Sequence, residues 1–486
     1  MEPAGLACFK LLLIFAVIVL LLRRGVQLGR ALLAASLCTA LVSGLGPGQW
    51  PGMILRTAAD TDFLFLCFMI WMMITLSGVQ EAGGQSARLV DGLEDYLHNP
   101  RIRLLIFPAL VGLLPMPGGA LFSCPMIRAV AGHMSVGESR QALINYWFRH
   151  IWETAWPLYP GYILASSLLG LSLDVICRYT FPMVFLAVGV GRHFFLRDIP
   201  VKGINGEYGR SPVHAEAAPV HEDAAACGLG TQPAYAAAPV HGGAAVQGHS
   251  CRPADGAASV RWGAASAPNK RLLSLLGNFL PIFVVLVGAA LFTPLLDLLF
   301  PEAPKQTAFC LALCAAVGAA VVQNRGKLRG RAARLVFSAN AGRILILLFA
   351  VFLFKDLLAA SGIVRDLGRS VSGLPMVAAA CVVLPFVAGL LTGVMVGFVG
   401  LSFPVLLDLI RHAGLQEYTL PLVVLSLAAG NCGQMLSPLH VCLVVTCEFF
   451  NTKLPRIWRS LVRPTAALFT GGALLAAVTA AVGASF

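Results

Sequence analysis

Two stretches decide how this chain folds: WETAWPLYP at residues 152–160 and AAGNCGQMLSPLH at residues 428–440. Each lies inside a long apolar segment and contains proline, which removes a backbone donor and breaks a helix. A broken helix exposes N–H and C=O groups that hydrocarbon cannot satisfy, so protein, water or a ligand must satisfy them. We therefore expect two interrupted helices, over 141–170 and 418–450.

The composition of the chain is that of a membrane protein. Of 486 residues, 58% are hydrophobic and only 12% are charged, against about 25% charged residues in soluble domains. This excludes a water-soluble globular enzyme. The net charge of +12 is typical of the basic cytoplasmic loops of membrane proteins. We predict a multi-pass protein of the bacterial cytoplasmic (inner) membrane that contacts lipid and binds no nucleic acid.

The apolar segments predict an all-α polytopic fold with about ten transmembrane helices. Eight uninterrupted segments are long enough to cross a bilayer, and the two interrupted helices complete the set. Lys and Arg cluster in alternate loops, which places both termini outside the cell if the long central segment is cytoplasmic. The eight uninterrupted crossings are predicted at 5–22, 28–45, 62–80, 172–195, 275–292, 306–322, 343–361 and 464–483.

The central segment, residues 199–270, differs from its surroundings. It is rich in Ala, Pro, Gly and His and has too little apolar surface to fold alone, so we predict a disordered cytoplasmic linker. It divides the chain into a first membrane repeat, 1–198, and a second, 271–486. The spacing of its His and Cys residues fits no zinc finger. The 13 cysteines include no Cys-x-x-Cys pair, and we interpret them as packing residues, with no metal and no cofactor expected.

Short matches on the two sides of the linker indicate an internal repeat. Gly112-Leu113-Leu114 matches Gly389-Leu390-Leu391, and Trp156-Pro157-Leu158 matches Ser437-Pro438-Leu439. Each match alone is short enough to arise by chance, but the two occur in the same order and at nearly the same separation along the chain. Each half holds five crossings, an odd number, so the second copy is predicted to be inverted relative to the first.

A glycine-rich stretch precedes each interrupted helix: LLPMPGGALFSCP at 113–125 and LLTGVMVGFVGLSFP at 390–404. We predict two re-entrant hairpins, with tips at Pro115–Gly119 and Thr392–Gly400. The alternative is that the glycines only let membrane helices pack closely. The tip residues singled out as binding candidates are Pro115, Pro117, Gly118, Gly119, Thr392, Gly393 and Gly397.

The breaks themselves carry the polar candidates. Glu153 is an acid at membrane depth, where an ionisable group normally faces a cavity or a partner, so it is either a proton or cation site or one end of a structural tie to Arg149. His440 is the ionisable candidate in the second break, or else a structural histidine bonded to a backbone carbonyl. The remaining candidates in the breaks are Thr154, Pro157, Asn431, Gly433, Gln434 and Ser437, and Gln434 is the neutral counterpart of Glu153.

The order of elements, twice over, resembles the ion transporter superfamily of citrate, gluconate and dicarboxylate carriers. More closely, LLPMPGGALFSCPM and GNCGQMLSPLHVC resemble a bacterial domain-of-unknown-function family of integral membrane proteins within that superfamily. The resemblance implies an elevator-like carrier whose hairpin tips and helix breaks enclose the substrate. Both tips lack the Ser-Asn-Thr signature of sodium-coupled dicarboxylate carriers, which counts against sodium coupling and a dicarboxylate substrate.

These observations predict a secondary active transporter of a small solute, an organic anion, coupled to protons or sodium. The chain has no nucleotide-binding phosphate loop. An intramembrane enzyme is the least favoured alternative, since no His-Glu-x-x-His, Gly-x-Ser-x-Gly or aspartate pair occurs, and we assign no catalytic residue. A passive channel is the second alternative. The sequence leaves a homodimer open.

Overall fold

The computed structural model of the protein describes most of the chain outside its centre. The described residues are 4–85, 88, 92–93, 96–97, 99–113, 119–132, 134, 136–199, 268–300, 307–328, 339–368 and 373–483. The predicted linker therefore lies almost wholly outside them, as do Pro115, Pro117 and Gly118 of the first predicted tip. Within the described residues all regular structure is helical.

The first half is a series of helices interrupted by short turns. A 3-10 turn, Ile151–Thr154, follows α7, and a π turn, Arg192–Leu196, continues α10. The α-helices are α1 (Ala4–Arg23), α2 (Leu28–Val42), α3 (Trp50–Ala58), α4 (Thr61–Ala82), α5 (Pro100–Gly112), α6 (Ala120–Ala131), α7 (Glu138–Arg149), α8 (Pro160–Leu169), α9 (Leu173–Thr180) and α10 (Pro182–Gly191).

The second half repeats much of this order. A 3-10 turn, Gln416–Tyr418, precedes its interrupted helix. The α-helices are α11 (Pro268–Leu299), α12 (Thr307–Asn324), α13 (Ala339–Ser361), α14 (Ile363–Gly368), α15 (Leu374–Thr392), α16 (Met395–His412), α17 (Thr419–Met435), α18 (Val441–Phe449) and α19 (Leu454–Ala481).

Local sequence signals explain several of these boundaries. The Asp60 carboxylate accepts a hydrogen bond from the backbone N–H of Phe63, 2.9 Å away, and so caps α4. Asn99 caps α5 in the same way, with Pro100 in the first helical position, where its missing N–H costs nothing. Gly170 and Gly393 end α8 and α15 in the left-handed conformation, which glycine adopts without strain.

The fold is that of a multi-pass helical membrane protein. Among the described residues, eight helical spans are long and apolar enough to cross a bilayer, one of them running through α9, α10 and the π turn, and six of the eight match predicted uninterrupted crossings. The other two are α15 and α16, the arms of the second predicted hairpin. The tip of that hairpin is shorter than predicted, because the turn is confined to Gly393 and Val394 and α16 begins at Met395. Gly397 and Gly400 are therefore helical.

The two interrupted helices lie at the centre of the bundle. Nearly every side chain of α7 from Gln141 to Arg149 is buried, and α17 is buried along almost its whole length from Leu420 to Met435. A membrane helix buried on all sides faces protein rather than lipid. The helices that lead into the breaks are thus enclosed by other helices, whereas Pro438 and Leu439 of the second break are exposed.

Candidate functional site

The first break follows α7. Arg149 is its last residue, and the 3-10 turn after it carries Glu153 and Thr154. Pro157 and Pro160 prevent the helix from continuing, and Pro160 starts α8. The Thr154 hydroxyl donates to the carbonyl of Ile151 at 2.7 Å, so Thr154 supports the turn.

The second break follows α17. The helix ends at Met435, Pro438 lies in the turn, and α18 begins at Val441 with His440 as its N-cap residue. The Ser437 hydroxyl donates to the carbonyl of Leu390 at 2.7 Å and accepts from the backbone N–H of Leu439 at 3.2 Å. Ser437 thereby holds the turn against the end of α15.

Each break is tied to the hairpin before it by contacts at corresponding positions. The indole N–H of Trp156 donates to the Leu113 carbonyl at 3.1 Å, just as Ser437 donates to the Leu390 carbonyl. Leu113 is paired with Leu390 by the first sequence match, and Trp156 is paired with Ser437 by the second. The short sequence matches therefore mark positions that make the same contact in both halves.

Two glycine crossings repeat in the same way. A methyl group added at Gly112 would overlap the carbonyl oxygen of Arg149, and one added at Gly389 would overlap that of Gly430. The first sequence match pairs Gly112 with Gly389. Arg149 and Gly430 are as far apart in the sequence as Trp156 and Ser437, which the second match pairs. In both halves the hairpin arm touches the backbone of the interrupted helix at a point where only glycine fits.

The two breaks are bonded to each other at equivalent positions. The Gln434 amide Nε2 donates to the Glu153 carboxylate Oε2 at 2.5 Å, across a separation of 281 residues. The Tyr146 hydroxyl donates to the Met435 carbonyl at 3.0 Å and adds a second link between α7 and α17. The two helix breaks thus form one site, in which Glu153 is bonded to Gln434.

A histidine pair also spans the two breaks. Nε2 of His150 lies 2.9 Å from Nε2 of His440. Nδ1 of His150 lies 2.5 Å from the carbonyl oxygen of Tyr146, and Nδ1 of His440 lies 2.5 Å from that of Gly393. His440 makes the backbone bond that was expected of a structural histidine and, in addition, a contact with the other break. Glu153 Oε1 is 3.8 Å from His150 Nε2.

Arg149 is the buried cation of this site. Its Nη1 lies 3.2 Å from His150 Nε2 and 3.1 Å from the Cys442 sulfur, and its guanidinium packs against Gly119 at the start of α6. The interpretation of Cys442 as an apolar packing residue is therefore wrong, because its sulfur accepts a hydrogen bond from a charged group. No sequence motif marked Cys442 as polar, because its neighbours in the chain are apolar.

The site also contains oxygens that are available to a ligand. Within the described part of the chain, Asn431 Oδ1 and Gln434 Oε1 are buried and have no hydrogen-bond partner. A buried polar atom left without a partner costs about 1–3 kcal/mol, so these two oxygens are the candidates to accept a hydrogen bond from a water or a solute. Both atoms belong to α17, close to the break.

Some predicted site residues lie elsewhere. A methyl group added at Gly433 would overlap the carbonyl oxygen of Phe386, and one at Gly397 would lie 2.6 Å from the Thr392 side chain. Both glycines therefore pack against protein rather than border a space for solute. Thr392 donates to the carbonyl of Ala388 within its own helix at 2.8 Å. Pro157 lies in the first break and is half-buried.

Comparison with protein families matches residues 7–202 and 266–480 to the family described as "Protein of unknown function (DUF401)". The chain belongs to this family. The prediction of a domain-of-unknown-function family is thus confirmed, while its place in a superfamily of citrate and gluconate carriers stays a prediction. The match omits residues 203–265, which lie inside the predicted linker.

Among solved structures, the crystal structure of the YdaH transporter of Alcanivorax borkumensis, described as having an unusual topology, is similar to this chain. The similarity covers 90% of each chain, with 15% sequence identity and a TM-score of 0.49. Similarity at this level establishes neither a common fold nor a common activity. Comparison with curated protein sequences gives no match.

Proposed function

We propose that this protein is a secondary active transporter of a small organic anion, coupled to protons or sodium, in the bacterial inner membrane. In this proposal the two halves form an inverted repeat, and an elevator-like movement exposes the helix breaks to each side in turn. Membrane lipid and the solute are its partners. The corresponding contacts of the two halves support the repeat, because equivalent positions bond to each other as residues near a pseudo-two-fold axis do.

The observation that carries the proposal is the bond between Glu153 and Gln434. It joins the two helix breaks, which this proposal places at membrane depth, where charged groups are rare and serve solute or ion pathways. A site built from both halves changes shape when one half moves relative to the other, and alternating access needs this.

The charge of the site favours an anionic solute. Arg149 is buried with only 4% of its surface exposed, and its guanidinium fork matches a carboxylate or an oxyanion. The N-terminus of α6, at Gly119, lies beside the Arg149 guanidinium. The N-terminus of α18, at His440, lies beside His150, which contacts Arg149. The positive end of a helix dipole favours a negative charge.

The test is a thermal-unfolding screen of the purified full-length protein with citrate, succinate, gluconate, phosphate and sulfate, in sodium or potassium salts at two pH values. A ligand that binds only the folded state stabilises it by about 2.7 kcal/mol at roughly 100 times Kd. We expect at least one anion to raise the melting temperature. We expect Arg149→Gln to lose this shift, or Arg149→Lys to weaken it if the first variant does not fold.

Arg178→Gln is the matched control, because Arg178 is an exposed arginine that pairs with Asp174, four residues earlier on the same helix. It should keep the full shift. No shift with any of the anions, or an equal shift in the Arg149 variants, would count against the proposal. Saturable uptake with counterflow in proteoliposomes then separates a carrier from a passive channel.

A further inference from the structure

We infer that His150 and His440 share one proton between their Nε2 atoms, and that this pair is the proton-binding site of the protein. The second part of the inference rests on the proposed transport function. The first part rests only on the hydrogen-bond geometry of the two rings. The second part assigns the coupling proton to the histidine pair rather than to Glu153.

The argument begins with the Nδ1 atoms. A backbone carbonyl only accepts hydrogen bonds, so the 2.5 Å contacts to the carbonyl oxygens of Tyr146 and Gly393 require a proton on Nδ1 of each ring. A neutral imidazole carries one N–H. If both rings were neutral, both Nε2 atoms would be acceptors.

Two acceptors do not approach to hydrogen-bond distance. The Nε2 atoms lie 2.9 Å apart, which is the usual length of a hydrogen bond, so a third proton must lie between them and the pair carries one positive charge. Arg149 Nη1 lies 3.2 Å from the same His150 Nε2 and can only donate, so that nitrogen is the acceptor in both contacts and its single lone pair is shared by two donors. The shared proton therefore belongs on His440, which is the imidazolium of the pair.

A metal ion explains the contact less well. His150, His440 and Cys442 place their donor atoms within 4.8 Å of one another. Two nitrogens that bind one tetrahedral zinc ion at its normal bond length are about 3.3 Å apart, wider than the distance observed here.

The charged and titratable groups around the pair come from three elements. Tyr146 and Arg149 belong to α7, Glu153 to the 3-10 turn and Cys442 to α18, while the hairpin turn supplies only the Gly393 carbonyl. With Cys442 as a thiol, Arg149 and the pair carry two positive charges against one negative charge on Glu153. One anion balances the site, so the geometry favours uptake of one proton with one anion.

The two halves differ at the positions of this pair. At the offset that separates Glu153 from Gln434, the counterpart of His150 is Asn431 and the counterpart of His440 is Tyr159. Tyr159 donates its hydroxyl to the Gly112 carbonyl at 2.6 Å, as His440 donates to that of Gly393. The repeated position binds a backbone carbonyl in both halves, and only histidine has a second nitrogen to hold a proton.

The direct test is nitrogen NMR of the full-length protein, labelled with ¹⁵N at histidine, in lipid nanodiscs after treatment with EDTA. We expect one imidazolium and one neutral Nδ1–H ring, coupled through their Nε2 nitrogens. His440→Asn should abolish the coupling and leave His150 neutral. Two neutral rings without coupling in the wild-type protein would overturn the shared proton, whether or not the variant folds.

His412→Asn is the matched control. Nδ1 of His412 contacts the carbonyl of Asp408 four residues earlier, at 2.8 Å, as Nδ1 of His150 contacts that of Tyr146. Its contacts recorded within the described residues are all made by Nδ1, so its loss should leave the coupled signals unchanged. Coupled signals that disappear in His412→Asn would contradict the assignment.

The coupling role is tested with the anion that gives the largest shift among the five in the screen. If the proton and the anion bind together, wild-type affinity should fall about tenfold per pH unit once the proton is lost. His440→Asn should bind more weakly with no such slope, whereas His412→Asn should keep it. If the affinity of the wild-type protein for the anion did not change with pH, the coupling role would be overturned. If the NMR signals showed the shared proton but no anion bound, only the proposed transport function would be overturned.

Discussion

The two interrupted helices have the same framework but different chemistry. In both, the turn is bonded to the hairpin arm through a carbonyl, Leu113 in the first half and Leu390 in the second, and a glycine lets the arm touch the helix backbone. The side chains that carry charge differ. The first break has Arg149, His150 and Glu153, while the equivalent positions in the second are Gly430, Asn431 and Gln434.

This difference separates two demands on the sequence. The framework must satisfy the backbone groups that each break exposes, and hydrocarbon imposes this demand equally on both halves. The charges need to be present only once, because a site between the halves is shared by both. The acidic and basic groups at the breaks are therefore concentrated in the first half, and the second contributes amides, a thiol and His440.

The hairpins show a similar contrast in length. The described arms α5 and α6 have 13 and 12 residues, whereas α15 and α16 have 19 and 18. At 1.5 Å per residue the shorter arms reach about 20 Å and the longer arms about 28 Å. The longer arms can nearly span the hydrocarbon core of a bilayer, which is about 30 Å thick.

The largest effect is expected from filling the repeated glycine crossings. Gly112→Val and Gly389→Val each place a branched side chain where even a single methyl group would overlap a backbone oxygen. Overpacking by one methylene costs about 1–3 kcal/mol, and backbone against backbone has less room to relax. We expect both variants to lose most folded protein, measured by monodisperse yield and thermal unfolding in detergent.

Gly318→Val is the control for these variants. Gly318 lies in α12 with open space around it, so the same substitution should leave yield and melting temperature nearly unchanged. If Gly112→Val is tolerated while Gly389→Val is not, the two crossings are not equivalent and the repeated framework is disproved.

A smaller effect is expected from exchanging the charges of the two breaks. Gln434→Glu places a second carboxylate at the 2.5 Å contact with Glu153, and like charges at this distance repel. The double variant Glu153→Gln/Gln434→Glu restores one acid and one amide. We expect the single variant to be destabilised and the exchange to recover about 0.5–3 kcal/mol of coupling, measured by a double-mutant cycle of thermal unfolding.

The exchanged variant also separates framework from charge. It keeps the hydrogen bond but moves the carboxylate onto α17, away from the turn that carries His150. We expect recovered stability with weaker anion-induced stabilisation. If the exchanged variant recovered both its stability and its anion-induced stabilisation, it would not matter which helix carries the acid. The charge difference between the two halves would then have no effect on function.

Much of the fold could be predicted from the sequence. Apolar length is a strong signal in a bilayer, and proline within an apolar segment marks a break, so both interrupted helices were located. The offset between Trp156-Pro157-Leu158 and Ser437-Pro438-Leu439 predicts that Gln434 is the counterpart of Glu153, and the structure joins these two side chains by a hydrogen bond. The second hairpin tip is shorter than predicted, because Gly397 and Gly400 lie inside a helix where they serve close packing.

The site was harder to predict because its contacts cross between the halves. Arg149 is close to Glu153 in the sequence, but no local pattern shows that His150 meets His440 from 290 residues away. Cys442 gave no signal because cysteine is common in apolar cores. Periodicity locates helices, but it does not predict which of their ends come together.

The smallest effect is expected from replacing most of the predicted linker between the two halves. The family match stops at residue 202 and resumes at 266, and the composition of the segment predicts no folded core. Replacing residues 203–265 with a Gly-Ser linker of about 20 residues keeps a flexible connection. Loop closure depends on the logarithm of loop length, so we expect stability to change by about 1 kcal/mol or less.

The measurement is the melting temperature of the shortened protein together with its anion-induced shift, and both should match the full chain. Labelling of Cys227 and Cys251 in intact cells by a membrane-impermeant thiol reagent tests the predicted cytoplasmic location, with labelling expected only after permeabilisation. Unfolding of the shortened protein would show that the segment contributes to the assembly of the halves. Labelling in intact cells would reverse the predicted orientation of every helix, because the orientation of each crossing was inferred from this one segment.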